Sequence, residues 1–181
     1  MKVICFGDSN TFGYDPRSYL GGRYDENSRW VDILALKTGW DIRNNGMSGR
    51  EIPSRETVFP KSTDLLIIML GTNDLLQGNS VAKVAARMER FLSALPFEKR
   101  KLLLVAPPPM IFGEWVQEQA LIDASIALAD HYCALAKKLG IQFADAGDWE
   151  IPMACDGVHF TEDGHKRFAQ KLYNYINQIV H

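Results

Sequence analysis

Ser9 is the first residue of the chain whose position suggests chemistry. It follows the apolar segment 3–6, so it stands where a first β-strand would end. Open α/β folds bind ligands in the crevice at the carboxyl ends of their strands, and a hydroxyl here would lie at that edge. A serine in this place can act as a nucleophile if a base and donors for a developing negative charge reach it.

A candidate base lies near the other end of the sequence. Asp156 and His159 are three residues apart, and Gly157 between them permits the tight turn that brings a carboxylate to Nδ1 of the imidazole. Nε2 would then face outward and could accept the proton of Ser9, whose hydroxyl is a weak nucleophile on its own. The three side chains predict nucleophilic attack on an acyl carbon.

Such an attack creates an oxyanion, which requires fixed hydrogen-bond donors. The candidates are the backbone N–H groups of Ser9 and Gly46 and the side-chain amide of Asn73. Loops at the same edge supply the residues that we expect to bind substrate, namely Asn10, Tyr14, Phe112 and Trp115. Tyr19 and Tyr24 are further aromatic residues of these loops, and their placement favours the wall of a pocket over the core.

Apolar runs and helical periodicity alternate along the chain. Strands are predicted at residues 3–6, 40–44, 65–70, 101–106 and 141–144. Between them, helices are predicted to begin after Ser28, Ser80 and Thr161 and to end at Gly39 and Gly140. Parallel neighbours need such crossovers. The prediction is a doubly wound, three-layer α/β/α fold with five parallel strands in the flavodoxin-like order 2-1-3-4-5, whose loops share one rim.

Composition narrows the class of protein. A chain of 181 residues, 46% hydrophobic and without a linker-like run, predicts a single domain over residues 1–181. The net charge of −2 is spread evenly and argues against a nucleic-acid partner, while no signal peptide or membrane-spanning run is visible. Cys5, Cys133 and Cys155 lack metal-site spacing and are expected to be buried in a protein of the reducing cytoplasm.

The chain resembles the SGNH (GDSL-type) hydrolase superfamily, because it contains the four sequence blocks of that superfamily in order: Gly7-Asp8-Ser9, Gly46 within Asn45-Gly46-x-Ser48, Gly71-Thr72-Asn73-Asp74, and Asp156-x-x-His159. Segments 67–74, 107–109 and 156–161 further resemble its bacterial arylesterase and acyltransferase branch. Asn10 stands where the superfamily often has Leu. It lies outside the catalytic triad, so the difference bears on substrate preference.

The resemblance implies a serine carboxylic ester hydrolase that acts on a small-molecule ester and needs no cofactor or metal. Ser9 would be the nucleophile, Asp156 and His159 the other triad members, and Gly46 and Asn73 would complete the oxyanion hole. It also implies a capacity for acyl transfer to an alcohol and favours a homo-oligomer. A carbohydrate O-acetyl group, a thioester or a lysophospholipid fits the same mechanism.

Two functions of other kinds fit part of the pattern. A metal-dependent phosphoesterase would take its ligands from Asp8, Asn10, Asn73, Asp74 and His159, but the additional histidines of a two-metal centre are lacking. A non-catalytic nucleotide or flavin module is compatible with the fold. However, the loop after the first strand has neither G-x-G-x-x-G nor a basic residue for phosphate.

Other polar residues have simpler explanations. Asp8 and Asp74 are expected to bond loop amides beneath the site. Cys155 could replace Ser9 as a thiol nucleophile, but no oxyanion donors are evident around it. The remaining histidines are predicted to face solvent on helices or at the terminus: His131, His165 and His181.

Overall fold

Five parallel strands form one sheet in the computed structural model, which describes residues 1–18 and 20–180, with only the backbone of residues 179 and 180. The strands run in the order β2-β1-β3-β4-β5. Their bounds are Lys2–Gly7 (β1), Asp41–Gly46 (β2), Leu65–Met69 (β3), Leu102–Ala106 (β4) and Gln142–Asp145 (β5). The predicted strand order and parallel direction are confirmed.

Six α-helices connect or follow the described strands. They are Ser9–Phe12 (α1), Trp30–Thr38 (α2), Thr72–Leu76 (α3), Val81–Ala94 (α4), Gln119–Leu139 (α5) and Glu162–Val180 (α6). Single 3₁₀ turns occur at Lys99–Lys101 and Gly147–Trp149. The four long helices were predicted, whereas the short helices α1 and α3 were not. None of the described helices has the length and apolar character needed to cross a membrane.

Helices cover both faces of the sheet, which gives three layers. Alternate side chains of a strand point to opposite faces, so β3 contributes to two apolar cores. Leu66 and Ile68 pack with residues of α4 and α5, while Ile67 and Met69 pack with residues of α2 and α6. Burial on both faces explains why β3 is apolar at every position.

Most predicted helix ends agree with the structure. Gly39 and Gly140 lie at the C-termini of α2 and α5, and Ser80 caps α4. Thr161 Oγ1 accepts the N–H of Gly164 at 3.0 Å and so caps α6.

The cap predicted at Ser28 is wrong, because α2 begins one residue later than expected and Arg29 occupies the cap position without a side-chain bond. The Ser28 hydroxyl instead donates to Glu162 Oε1 at 2.9 Å. It therefore joins the start of α2 to the first turn of α6.

The strand register brings the predicted site segments to one edge. Gly7, the last residue of β1, lies opposite Gly46 in β2 and Met69 in β3. Helices α1 and α3 begin within a few residues of these strand ends. Ser9 and Asn73 consequently start from neighbouring positions at the carboxyl edge of the sheet.

The cysteines differ in burial. Cys5 is fully buried in β1, Cys133 is half-buried, and Cys155 is exposed. The prediction that all three are buried is wrong for Cys155, which lies in the loop before α6, and is met only in part by Cys133. Burial in the apolar core raises the pKa of the Cys5 thiol, so this side chain behaves as a small hydrophobe.

Candidate active site

Ser9 is the first residue of α1, immediately beyond the end of β1. Asp8 caps this helix, because its Oδ1 accepts the N–H of Asn10 at 3.0 Å. The first N–H groups of a helix have no partner within the helix, so the Ser9 N–H is not used by α1 itself. Burial raises the pKa of Asp8 to about 6, against the opposing effects of the Asn10 N–H and of nearby His159.

Asp156 and His159 share a tight turn. Gly157 has a φ of 84°, and a Cβ at this residue would lie 2.3 Å from the carbonyl oxygen of Ile111. This turn lets Asp156 Oδ1 accept the backbone N–H groups of Val158 at 2.8 Å and His159 at 2.9 Å. Its other oxygen, Oδ2, lies 2.8 Å from Nδ1 of the His159 ring.

These hydrogen bonds keep Asp156 ionised. Burial alone would raise the pKa of the carboxyl group, but the bonds from the His159 ring and from the two backbone amides outweigh it and lower the pKa. A carboxylate at this distance requires a proton on Nδ1, which leaves the lone pair of the ring on Nε2. The turn therefore fixes the form of His159 that can accept a proton at Nε2.

Nε2 of His159 lies 2.9 Å from Oγ of Ser9. Both residues are buried, with 3% and 5% of their surface exposed. A serine O–H that donates to a neutral imidazole, itself oriented by a carboxylate, can lose its proton as it attacks an electrophile. The structure thus brings together three residues that the sequence places at opposite ends of the chain.

Asn73 lies in the first turn of α3, half-buried at the same edge. Its Nδ2 donates to the carbonyl oxygen of Arg50 at 3.1 Å. An amide nitrogen carries two hydrogens, and this contact uses one of them. The bond to Arg50 holds the amide in place while leaving donor capacity for an oxyanion.

Arg50 was not singled out from the sequence, yet it joins several parts of the site. Its guanidinium donates to the carbonyl oxygen of Gly7 at 2.9 Å and also to that of Asn45, and it lies 4.3 Å from the centre of the Phe6 ring. Burial lowers the pKa of Arg50, and nearby Asp8 opposes this shift. Because Arg50 also accepts from Asn73, it connects the ends of β1 and β2 to α3.

Gly46 is placed differently from the prediction. Its N–H, one of the three expected oxyanion donors, donates to Oδ1 of Asn44 at 2.9 Å. A Cβ at Gly46 would lie 2.1 Å from the backbone nitrogen of Phe12. Glycine is therefore needed here so that β2 can approach α1, and the amide is already occupied.

Asn10 was predicted to bind substrate, but the structure gives its side-chain amide partners within the protein. The residue is buried, and its side-chain amide bonds to the backbone of Val158 and Phe160. Its carbonyl oxygen accepts the indole N–H of Trp30 at 2.9 Å. The side chain of Asn10 thus belongs to the framework beneath the site.

Aromatic rings surround His159. The Tyr14 ring centre lies 4.5 Å from that of His159, and Trp115 meets the imidazole edge-on at 5.1 Å. Trp115 is held by its backbone N–H, which donates to the carbonyl oxygen of Asp156 at 3.0 Å. Phe112, in the same loop, is 60% exposed.

Tyr24, another tyrosine of these loops, packs against a different histidine. Tyr24 is largely buried, with its ring 5.3 Å from that of His165, and it borders a surface cleft beside Cys155 and Glu162. Tyr19 lies outside the described residues.

His165 is also placed differently from the prediction of a solvent-facing side chain. It is fully buried among aromatic rings, and its Nδ1 accepts the backbone N–H of Trp30 at 3.5 Å. Burial lowers its pKa to about 3, so the ring is neutral. Its spacing from Phe168 and Leu172 places it on the apolar stripe of α6, a signal that was present in the sequence. His131 is exposed as predicted, and His181 lies outside the described residues.

The acidic residues next to the site have structural partners. Asp74 is buried, accepts the N–H of Ile52 at 3.0 Å and pairs with Arg87 at 2.8 Å. Asp74 thus bonds a loop amide, as predicted, whereas Asp8 bonds the N–H of Asn10 within α1. Among the described residues, no three His, Cys, Asp or Glu side chains are grouped so that they could hold a metal ion.

Comparisons with known proteins identify the family and the fold of the chain. Residues 5–167 match the GDSL-like lipase/acylhydrolase family. No curated protein matches the chain by sequence. A proposed arylesterase from Agrobacterium tumefaciens str. C58 is 29% identical, with a TM-score of 0.83 over 98% of this chain and 99% of that one.

Two further solved structures cover the chain to the same extent. The native aryl esterase of M. smegmatis is 26% identical, and Est24, a carbohydrate acetylesterase from Sinorhizobium meliloti, is 25% identical. Each has a TM-score of 0.82 and covers 98% of this chain and 99% of its own. The chain belongs to the GDSL-like lipase/acylhydrolase family and is a carboxylic ester hydrolase of the SGNH type.

Proposed function

We propose that the protein is a serine esterase that hydrolyses small acyl or aryl esters through Ser9, His159 and Asp156. The main support is the continuous hydrogen-bond path from Ser9 Oγ through the imidazole to Asp156, with contacts of 2.9 and 2.8 Å. Each atom on this path has the partner that proton removal from Oγ requires.

The reaction proceeds in two halves. Ser9 Oγ bonds to the acyl carbon while His159 Nε2 takes its proton, and Asp156 stabilises the resulting imidazolium. Collapse of the tetrahedral intermediate breaks the bond to the leaving oxygen, which receives the proton from His159 and departs as an alcohol. A water molecule, deprotonated by the same imidazole, then attacks the acyl-enzyme, and the acid product leaves as Ser9 regains its proton.

Two donors are assigned to the oxyanion of the intermediate. The Ser9 N–H comes from the start of α1, and the second hydrogen of the Asn73 amide comes from the start of α3. Fixed donors of this kind stabilise the charge that develops in the transition state more than the neutral ester. Gly46 is omitted because its N–H already donates to Asn44.

The aromatic side chains next to His159 favour an apolar or aryl group on the substrate. Tyr14 and Trp115 contact the His159 ring, and Trp115 is 54% exposed. A planar leaving group can lie against such a half-exposed ring. The likeness to two esterase structures that are named for aryl substrates supports the same choice.

Carbohydrate O-acetyl esters are the second candidate substrate class. The support is the 25% identity with a carbohydrate acetylesterase over almost the whole of both chains. A panel that varies the acyl length against one aryl leaving group, and includes an acetylated sugar, a thioester and a lysophospholipid, distinguishes these substrates. Alcohols added as acceptors in the same assays measure acyl transfer.

Covalent labelling tests the catalytic assignment. A fluorescent organophosphonate should modify wild-type protein at Ser9, and Ser9→Ala should lose both the label and the esterase activity. Activity of the wild type should persist in a chelator, which separates this mechanism from metal-dependent hydrolysis. Ester hydrolysis by Ser9→Ala at the wild-type rate would refute the proposal.

The domain organisation and the oligomeric state remain predictions from the sequence. We propose that residues 1–181 act as one catalytic domain. Light scattering of the purified protein measures whether it forms the expected homo-oligomer.

A further inference from the structure

The side chain of Asn10 holds the segment that carries His159. Asn10 follows Ser9 in α1 and is 5% exposed. Its Nδ2 donates to the carbonyl oxygen of Val158 at 3.0 Å, and its Oδ1 accepts the N–H of Phe160 at 2.9 Å. The two bonded peptide groups lie on either side of His159.

This pattern resembles strand pairing. In a parallel sheet, the N–H and C=O of one residue bond to the two residues that flank its opposite neighbour. The Asn10 amide makes the same pair of bonds with the residues that flank His159. The two backbone groups determine the orientation of the Asn10 amide, since the carbonyl of Val158 must face its NH₂ group and the N–H of Phe160 must face its oxygen.

The backbone of His159 itself is fixed by other partners. Its N–H donates to Asp156 Oδ1, and its carbonyl oxygen accepts the N–H of Ala154 at 2.7 Å. Asn10 supplies the contact from the side of the nucleophile. It therefore ties the helix of Ser9 to the backbone of the segment that carries the base.

Helix α1 is in turn anchored to the rest of the fold. The carbonyl oxygen of Asn10 accepts the Trp30 indole N–H at 2.9 Å, and the carbonyl oxygen of Thr11 accepts Nδ2 of Asn44 at 2.9 Å. Loss or displacement of the Asn10 side chain would thus shift the segment of His159, whereas α1 would keep its position.

We propose that Asn10 is a positioning residue that sets the distance between Ser9 Oγ and His159 Nε2. This inference rests on the proposed roles of Ser9 and His159. Proton transfer requires the two atoms within hydrogen-bond reach, and a misplacement of about 1 Å can cost about 100-fold in rate. Asn10 acts on kcat through the imidazole and has no contact with substrate.

Asn10→Ala is the primary test. It removes both bonds to the His159 segment, and we expect kcat to fall about 10- to 100-fold while KM stays within about twofold. Organophosphonate labelling of Ser9 should slow by a similar factor, because it uses the same base. The low-field proton resonance of His159 Nδ1–H should shift or broaden.

Asn44→Ala is the matched control. Asn44 also makes two side-chain bonds to backbone, to Thr11 and Gly46, and it anchors α1 without touching the His159 segment. We expect a similar loss of thermal stability but a much smaller loss of kcat and an unchanged His159 resonance. Equal losses of kcat in the two variants would show a general effect of stability and overturn the proposal.

Asn10→Asp provides a second variant if Asn10→Ala does not fold. Asp has the shape of Asn and can still accept from Phe160, but its second oxygen would face the carbonyl oxygen of Val158. A reduced kcat with retained folding supports the proposal, and a wild-type kcat contradicts it. Ser9→Ala measured alongside keeps the outcomes separate, since an active Ser9→Ala refutes the proposed function whereas an inactive one with a normal Asn10→Asp refutes only the role of Asn10.

Discussion

Asp156 holds His159 at two points with one carboxylate. Oδ1 accepts the backbone N–H of His159 at 2.9 Å, and Oδ2 lies 2.8 Å from ring Nδ1. The first contact helps to hold the backbone of His159, and the second determines which ring nitrogen carries the proton. Both are lost or altered when the carboxylate changes.

Asp156→Asn should lower kcat about 10⁴-fold. The amide oxygen of Asn would remain with the two backbone N–H groups, so its NH₂ group would face Nδ1 of His159. Nδ1 would then have to accept a proton, and the hydrogen would move to Nε2, which could no longer take a proton from Ser9. Steady-state kinetics with an aryl acetate measures the loss.

Asp148→Asn is the control for Asp156→Asn, because Asp148 is an exposed carboxylate. It should retain the wild-type kcat. A kcat of Asp156→Asn close to that of the wild type would mean that another group orients the imidazole.

Asn73→Ala should lower kcat by about 10²–10³ with little change in KM, because an oxyanion donor acts mainly on the transition state. Asn79→Ala is the matched control. Asn79 follows the same helix, α3, and its Nδ2 donates to the carbonyl oxygen of Asp74 at 2.8 Å. A loss shared equally by both variants would indicate disruption of α3 and would remove the role assigned to Asn73.

Trp115→Ala should reduce kcat/KM about 2- to 10-fold more for an aryl ester than for the ethyl ester of the same acid. The reason is that the half-exposed Trp115 ring contacts His159, which is the proposed proton donor to the leaving group. Trp115→Phe keeps an aromatic ring and should recover part of the difference. Equal losses on the two esters would place Trp115 outside the leaving-group site.

His165 should make the fold sensitive to acid. Its folded-state pKa is about 3, below the ordinary value of 6.5. Its contribution to stability is therefore complete above about pH 6.5 and is lost as the pH falls, because the unfolded chain binds a proton that the buried ring does not accept. The loss approaches about 1.4 kcal/mol per pH unit within this window.

His165→Phe tests this effect by urea unfolding at several pH values between 4 and 7, chosen at roughly unit spacing. The variant should lose less free energy of unfolding on acidification than the wild type. The carboxyl group of Asp8, whose pKa is raised to about 6, instead raises the free energy of unfolding as the pH falls, but it does so in both proteins. Parallel pH profiles would contradict the prediction, and His131→Gln, at an exposed histidine, should match the wild type.

The strands and long helices could be predicted because their signals are local. β3 and β4 are short apolar runs, and Gly39 and Gly140 end helices whose periodicity stops beside them. Helices α1 and α3 are too short to show a period. They also consist largely of residues that favour caps and turns, and their form depends on the strand ends before them.

The polar framework of the site could not be predicted to the same extent. The amide of Asn10 bonds to residues 148 and 150 positions away, and Ser28 bonds to Glu162, so no local pattern indicates either contact. The proximity of Ser9 to Asp156 and His159 could be predicted, because the expected strand order brings their loops to one edge of the sheet. The occupied N–H of Gly46 depends on a side chain two residues earlier, which strand geometry alone does not specify.

Arg50 has a consequence for building hybrids of this protein with its relatives. The guanidinium of Arg50 donates to the carbonyl oxygens of Gly7 and Asn45, and the backbone carbonyl of Arg50 accepts from the side chain of Asn73. In a hybrid with an exchange point between residues 7 and 73, some of these groups would come from one parent protein and some from the other. The two parts would then have to place all of these groups correctly for the hydrogen bonds to form. Exchange points after residue 73 inherit the whole set from one parent, and libraries recombined there should retain more active members.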